Sequence, residues 1–133
     1  MPIDRRTLWR LGLATAAAFV LHLAVASRTP AEWDVANYLL ALDRFDLHQH
    51  RPHPPGYPLY VLLGRALAAV VGDGHRALLM LAALGAALAL PCTWLLARCH
   101  LPANAAWWTA LLACFAPLAW FYGATGLPGI FEL

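Results

Sequence analysis

Lysine is absent from this chain, and charged residues of every kind make up only 12% of its 133 positions, while 62% are apolar. A soluble domain runs near half apolar and about a quarter charged. The excess apolar surface must therefore face something other than water. The nine cationic side chains are all arginine, set against seven acids for a formal charge of +2, and no stretch has the basic density of a nucleic-acid-binding arm. Nucleic acid is excluded as a partner. The lack of lysine beside abundant alanine is what a GC-rich coding bias produces, and it carries no requirement for guanidinium chemistry. Cysteine is scarce too. Cys92, Cys99 and Cys114 fall in or at the ends of apolar runs, with no CxxC pair and no histidine at zinc spacing, so they read as buried, inert thiols. There is no internal repeat, and no low-complexity segment beyond the Ala/Leu bias.

What is present is a set of long apolar runs. Ala77 to Ala97 contains no formal charge over 21 positions, matching the roughly 20 apolar residues needed to cross a hydrocarbon core of about 30 Å. Similar runs at about 8–27 and 105–122, and a shorter one at 58–72, predict an all-α fold: a polytopic bundle of about four transmembrane helices forming a single domain over residues 1–133. The partner implied is a lipid bilayer. Asp4, Arg5, Arg6 and Arg10 ahead of the first run resemble a signal peptide, and Ala24-Val25-Ala26 a cleavage site. The apolar run is longer than the 7 to 15 residues of a signal-peptide core, which favours an uncleaved first helix with its arginine end in the cytoplasm. Residues 28–57 then form an outer loop.

The second run along the chain, Leu59 to Val71, is short and contains Arg65. Runs of about 10 to 14 residues are often re-entrant or interfacial, and a central Arg costs roughly 2.5–3.5 kcal/mol on insertion scales. If this run spans, the turn from Gly72 to Arg76 is cytoplasmic and Arg98 faces out; if it does not, the two exchange sides. Keeping Arg76 with the N-terminal arginines favours the first arrangement. Pro117 predicts a kink in the last helix, whose ends carry Trp107 and Trp108 and then Trp120, Phe121 and Tyr122 as an interfacial belt. Gly123 to Leu133 is expected to trail off.

Within the outer loop, Thr29-Pro30-Ala31-Glu32 has the form of a capping box, predicting a short juxtamembrane helix from Pro30 to about Arg44. Val35, Leu39 and Leu42 share its apolar stripe; Asp34, Asn37, Tyr38 and Ala41 share a more polar one. After Phe45 the composition changes to Asp46-Leu47-His48-Gln49-His50-Arg51-Pro52-His53-Pro54-Pro55-Gly56-Tyr57-Pro58. Regular structure should stop there, with Pro55-Gly56 suited to a type II turn and Pro58 to the start of the next helix.

Chemistry is sought in this loop. Asp34, an acid near the membrane surface on an apolar helix, is a candidate general base; a helix-dipole or simply solvated acid is the alternative. His48, His50 and His53, with Asp46, could hold a divalent metal or contact a phosphate, although the spacing matches no zinc pattern and suits a flexible loop equally well. Arg51 could pair with a lipid phosphate or balance the neighbouring acids.

Trp33-Asp34 followed by Tyr38 and Ala41, then His53-Pro54-Pro55-Gly56-Tyr57-Pro58-Leu59-Tyr60 leading into an apolar helix, resembles the N-terminal part of the type C membrane glycosyltransferases, the group that includes protein O-mannosyltransferases and bacterial relatives. Pro117-Leu118-Ala119-Trp120-Phe121-Tyr122-Gly123 is similar to a second stretch of those relatives. The resemblance implies a hexosyltransferase of the bacterial inner membrane that passes a sugar from a polyprenyl-phosphate-linked donor to an acceptor hydroxyl on the outer side. By motif position Asp34 would be the base, with Arg51, His53 and Tyr57 toward the donor phosphate. Such enzymes have many more helices, so the resemblance also implies an N-terminal fragment, inactive alone. The rival class is a non-enzymatic membrane protein, an accessory subunit or small transporter, whose histidine-rich loop caps a bundle.

Overall fold

A computed structural model describes residues 3–30 and 32–131. Among them every regular element is helical: α1 (Arg5–Val25), α2 (Trp33–Asp43), α3 (Pro58–Val71), α4 (Gly74–Arg98), α5 (Ala103–Cys114) and α6 (Pro117–Thr125), with short 3-10 turns at Leu47–Gln49 and Pro128–Phe131. The starts follow local chemistry. The Asp4 carboxylate accepts from the Thr7 amide at 2.7 Å and the Asp73 carboxylate from the Arg76 amide at 2.8 Å, satisfying donors left free at the first turns of α1 and α4. Pro58 and Pro117 open α3 and α6, where a missing N–H costs nothing.

α4 is the axis of the bundle, buried at intervals from Ala77 to Ala97. α1 runs antiparallel to it: Leu11 packs with Leu90, Trp94 and Ala97 at one end, while at the other the His75 ring donates to the Ser27 carbonyl at 3.2 Å. α5 returns along α4, and α6 continues to the same end, where the Ser27 amide donates to the Ala124 carbonyl at 2.9 Å. α1 and α4 are each long and apolar enough to cross a membrane, and α5 with α6 makes a third such unit, bent by 53°. The predicted kink is thus a full break, its residues Phe115 and Ala116 lying between the helices. Leu13, Val20, Leu62, Leu84, Leu88 and Leu112 stand exposed around the bundle, a belt of apolar surface that marks a bilayer environment.

By length and composition two or three units can cross a membrane, against the four expected, and α3, at 14 residues, is not among them. Its Tyr60 and Gly64 meet Leu78 in the second turn of α4, and the Gly72–Gly74 turn after it lies beside Leu39 and Leu42 of α2 and one residue from His75. The α3–α4 turn therefore shares an end with Ser27 and Ala124, and Arg98 shares the opposite end with Arg5. This is the reverse of the arrangement favoured from sequence. Nor does the chain trail off after Gly123: Leu127 and Ile130 are buried against the bundle.

Helices approach closely at Gly123. A Cβ there would lie 2.6 Å from the Ala86 Cβ of α4 and would overlap the His22 ring of α1, which is itself stacked on Trp120. Neither neighbour is a flexible side-chain end, so Gly123→Ala should destabilise the chain by about 1–3 kcal/mol, the usual range for overpacking. Gly12→Ala, with nothing within 4 Å of the added methyl, should be neutral or stabilising. Thermal unfolding of both variants in detergent checks this; equal melting temperatures would remove the three-helix contact from the account.

Candidate functional site

The helix that carries Asp34 begins later than the capping box predicts. α2 starts at Trp33, with Glu32 in the cap position making no side-chain cap bond, and Ala31 lies outside the described residues. The buried face is also different. Val35, Asn37, Tyr38 and Ala41 are enclosed, while Leu39 and Leu42 are half-buried at its margin. The stripe read as the polar one is the packing face, because the Tyr38 ring supplies most of its apolar area despite the hydroxyl. That ring sits edge-on to Tyr60 at 5.5 Å and His53 at 6.2 Å, and tilted against Tyr57 at 6.5 Å.

Tyr60 anchors this cluster to the bundle. Its hydroxyl donates to the Gly126 carbonyl at 2.8 Å and approaches the Leu78 carbonyl at 3.3 Å. Burial, reinforced by Tyr38, holds its phenol well above the usual range, so it is a neutral donor. Tyr57 takes a left-handed backbone (φ 40°) just ahead of Pro58, and Gly56 (φ 85°) precedes it, as the expected turn requires. A Cβ at Gly56 would lie 2.6 Å from the Leu47 side chain and 3.2 Å from Phe45, so the loop folds down on its own first half.

The outcome is that His53 meets Asp34. His53 Nδ1 lies 3.3 Å from Asp34 Oδ1, with the two side chains 38% and 48% exposed. Nδ1 itself is enclosed and the approach lacks hydrogen-bond alignment, so the contact is a charge pair whenever the imidazole is protonated. Half of the carboxylate remains open to an incoming hydroxyl. At the start of α3, Tyr57, Pro58, Leu59, Tyr60, Leu63 and Pro128 line an apolar cavity of about 340 Å³.

The other candidates fare differently. Asp46 and Arg51 exchange two backbone hydrogen bonds, at 2.8 and 2.9 Å, which close the Leu47–His50 turn. The Asp46 carboxylate is already engaged, accepting from the His48 amide at 3.1 Å and lying 3.5 Å from Arg44. His48 and His50 are exposed, and no three His, Cys, Asp or Glu side chains gather as metal ligands among the described residues. Asp46 is engaged instead at the Leu47–His50 turn. Arg51 is half-buried beside Pro52, and only its main chain is tied down in the turn.

Arg65, read from sequence as an insertion cost, proves central. Its guanidinium donates to the carbonyls of Leu42 at 2.7 Å, Ala41 at 2.8 Å and Asp43 at 3.4 Å. These are the last carbonyls of α2, which no residue within that helix can satisfy. At Gly64, one residue before, a Cβ would lie 2.9 Å from Leu42 and 3.1 Å from Leu78, so its absence lets α2 and α4 close on α3. A charged residue one position from a glycine in an apolar helix was the available signal for a helix-end clamp.

Comparison of the chain with protein families, curated proteins and solved structures finds no match.

Arg65→Leu keeps the bulk and removes the donors. It should cost about 1–3 kcal/mol, as hydrogen bonds to a charged group do, with the loss confined to α2. Hydrogen exchange should accelerate at α2 amides and stay unchanged at α4 amides. Uniform acceleration through both helices would show that the clamp is not local.

Proposed function

We propose that this chain is the catalytic-loop unit of a membrane glycosyltransferase using a polyprenyl-phosphate-linked sugar, with Asp34 as general base. The observation that carries the reading is the Asp34–His53 contact. The two separate sequence strings that resemble type C glycosyltransferases, Trp33 to Ala41 and His53 to Tyr60, meet at that point on one tyrosine cluster.

The mechanism is an inverting displacement. The acceptor hydroxyl gives its proton to the Asp34 carboxylate as its oxygen bonds to C1 of the sugar, and the bond from C1 to the phosphate oxygen breaks. The lipid phosphate leaves with the electron pair. The Arg51 guanidinium offsets the charge developing on it, His53 in contact with Asp34 orients the base, and Tyr57 lines the approach. The 340 Å³ cavity beside Tyr57 accepts the first apolar units of the lipid.

Charge distribution supports an outward-facing loop. Arg5, Arg6, Arg10 and Arg98 stand against Asp4 at one end of the bundle. At the other, Arg28, Arg44, Arg51, Arg65 and Arg76 are matched by Glu32, Asp34, Asp43, Asp46 and Asp73. The arginines flanking the first span, Arg5, Arg6 and Arg10, orient that end to the cytoplasm, since the first helix usually dominates the positive-inside bias.

Asp34→Asn, introduced at the chromosomal locus, keeps the size of the side chain but cannot accept a proton at neutral pH. Sugar transfer in isolated membranes should fall by about 10²–10⁴-fold, the usual contribution of a general base, with the chain still present in the membrane. Asp43→Asn and Asp46→Asn should retain most activity. Retention of more than about a tenth of the rate in Asp34→Asn, too small a loss for a base in this range, or equal losses in all three, would rule out the assignment.

A further inference from the structure

A second cavity, of about 400 Å³, opens at the same end of the bundle and shares no residue with the Asp34–His53 pair. It lies where α1 ends and α4 begins, and its walls divide by chemistry. Leu23, Ala26 and Leu79 form an apolar side; Arg28 and Arg76 stand on the polar side. The hydrogen bond from the His75 ring to the Ser27 carbonyl ties the two helices together at its edge. Asp73, the acid that also lines it, accepts from the Arg76 amide at 2.8 Å and so serves the first turn of α4.

Among the described residues the side-chain ion pairs are Arg44–Asp46 and His53–Asp34, and neither Arg28 nor Arg76 joins one. Arg65 spends its donors on α2. Arg28 and Arg76 are thus two fixed positive charges, exposed, facing one cavity, at the ends of two helices long and apolar enough to cross a bilayer. Helix ends of that kind lie at the level of lipid headgroups.

We propose that this cavity binds the phosphate of an anionic membrane lipid, held by Arg28 and Arg76, with the glycerol and upper acyl segments against Leu23, Ala26 and Leu79. Guanidinium groups match phosphate oxygens in charge and in forked geometry. A free phosphate ion would satisfy the arginines and leave the apolar wall against water, which favours the lipid as the source. The inference does not depend on the glycosyl-transfer reading.

The test uses the full chain purified in a neutral detergent, with binding followed by native mass spectrometry. Phosphatidylglycerol, phosphatidylcholine and inorganic phosphate are titrated separately. Phosphatidylglycerol should bind saturably and more tightly than phosphatidylcholine, with inorganic phosphate a poor competitor. Arg28→Gln combined with Arg76→Gln should weaken phosphatidylglycerol at least ten-fold, whereas Arg44→Gln, whose arginine pairs with Asp46, should leave it unchanged. Arg28→Lys with Arg76→Lys should lose less than the glutamine pair, since charge survives without the fork. If the double glutamine variant does not fold, Arg76→Gln alone should still weaken binding three-fold or more. Equal affinity in wild type and the glutamine variants would overturn the site, and displacement of phosphatidylglycerol by equimolar inorganic phosphate would overturn the lipid assignment.

Discussion

The guanidinium of Arg65 holds three carbonyls of a neighbouring helix, and much of the architecture depends on that grip. Its donors reach Ala41, Leu42 and Asp43 at the end of α2. In or near a bilayer an unsatisfied carbonyl is costly, because no water is at hand to replace a lost partner. The clamp therefore fixes where α2 ends relative to α3, and with it the height at which Tyr38 and Asp34 stand. It also gives α3 a reason to remain at one end of the bundle. A helix of 14 residues with a committed cation part-way along is well placed to brace another helix and poorly built to cross a membrane.

From this bracing follows the arrangement of the loop. α2 and α3 present their tyrosines to one another, Tyr38 to Tyr57 and Tyr60, and the Tyr60 hydroxyl ties the group to the carbonyls of Leu78 and Gly126. The proline-rich segment is threaded between these anchors, with Pro52 fully buried and Gly56 pressed on Leu47. Asp34 and His53 meet because both are attached to that platform. The imidazole sits edge-on to Tyr38, and both side chains stay part-exposed.

The long apolar runs were legible in the sequence, since a 21-residue stretch without a charge has few alternatives. So was a bend at Pro117. The burial of α2 was misjudged because Tyr38 and Asn37 count as polar in a stripe argument, whereas a ring cluster can enclose both. The level of α3 was misjudged for a related reason. Charge counting placed Arg76 with the N-terminal arginines, but a contact between His75 and Ser27, 48 positions apart, sets that turn at the opposite end. Local periodicity reports which residues are apolar, and long-range hydrogen bonds decide which face and which end they occupy.

α2, the loop and α3 pack as one platform at a single end of the bundle, an arrangement in which α3 does not cross the membrane. Accessibility on the two sides of the membrane tests it most directly. On a background with Cys92, Cys99 and Cys114 replaced by serine, the single substitutions Gln49→Cys, Arg76→Cys and Leu101→Cys are treated in intact cells with a membrane-impermeant thiol reagent. The account predicts that Gln49→Cys and Arg76→Cys label alike, and that Leu101→Cys labels only after the cells are permeabilised. Labelling of Gln49→Cys with protection of Arg76→Cys would mean that α3 crosses the bilayer, and would contradict the account.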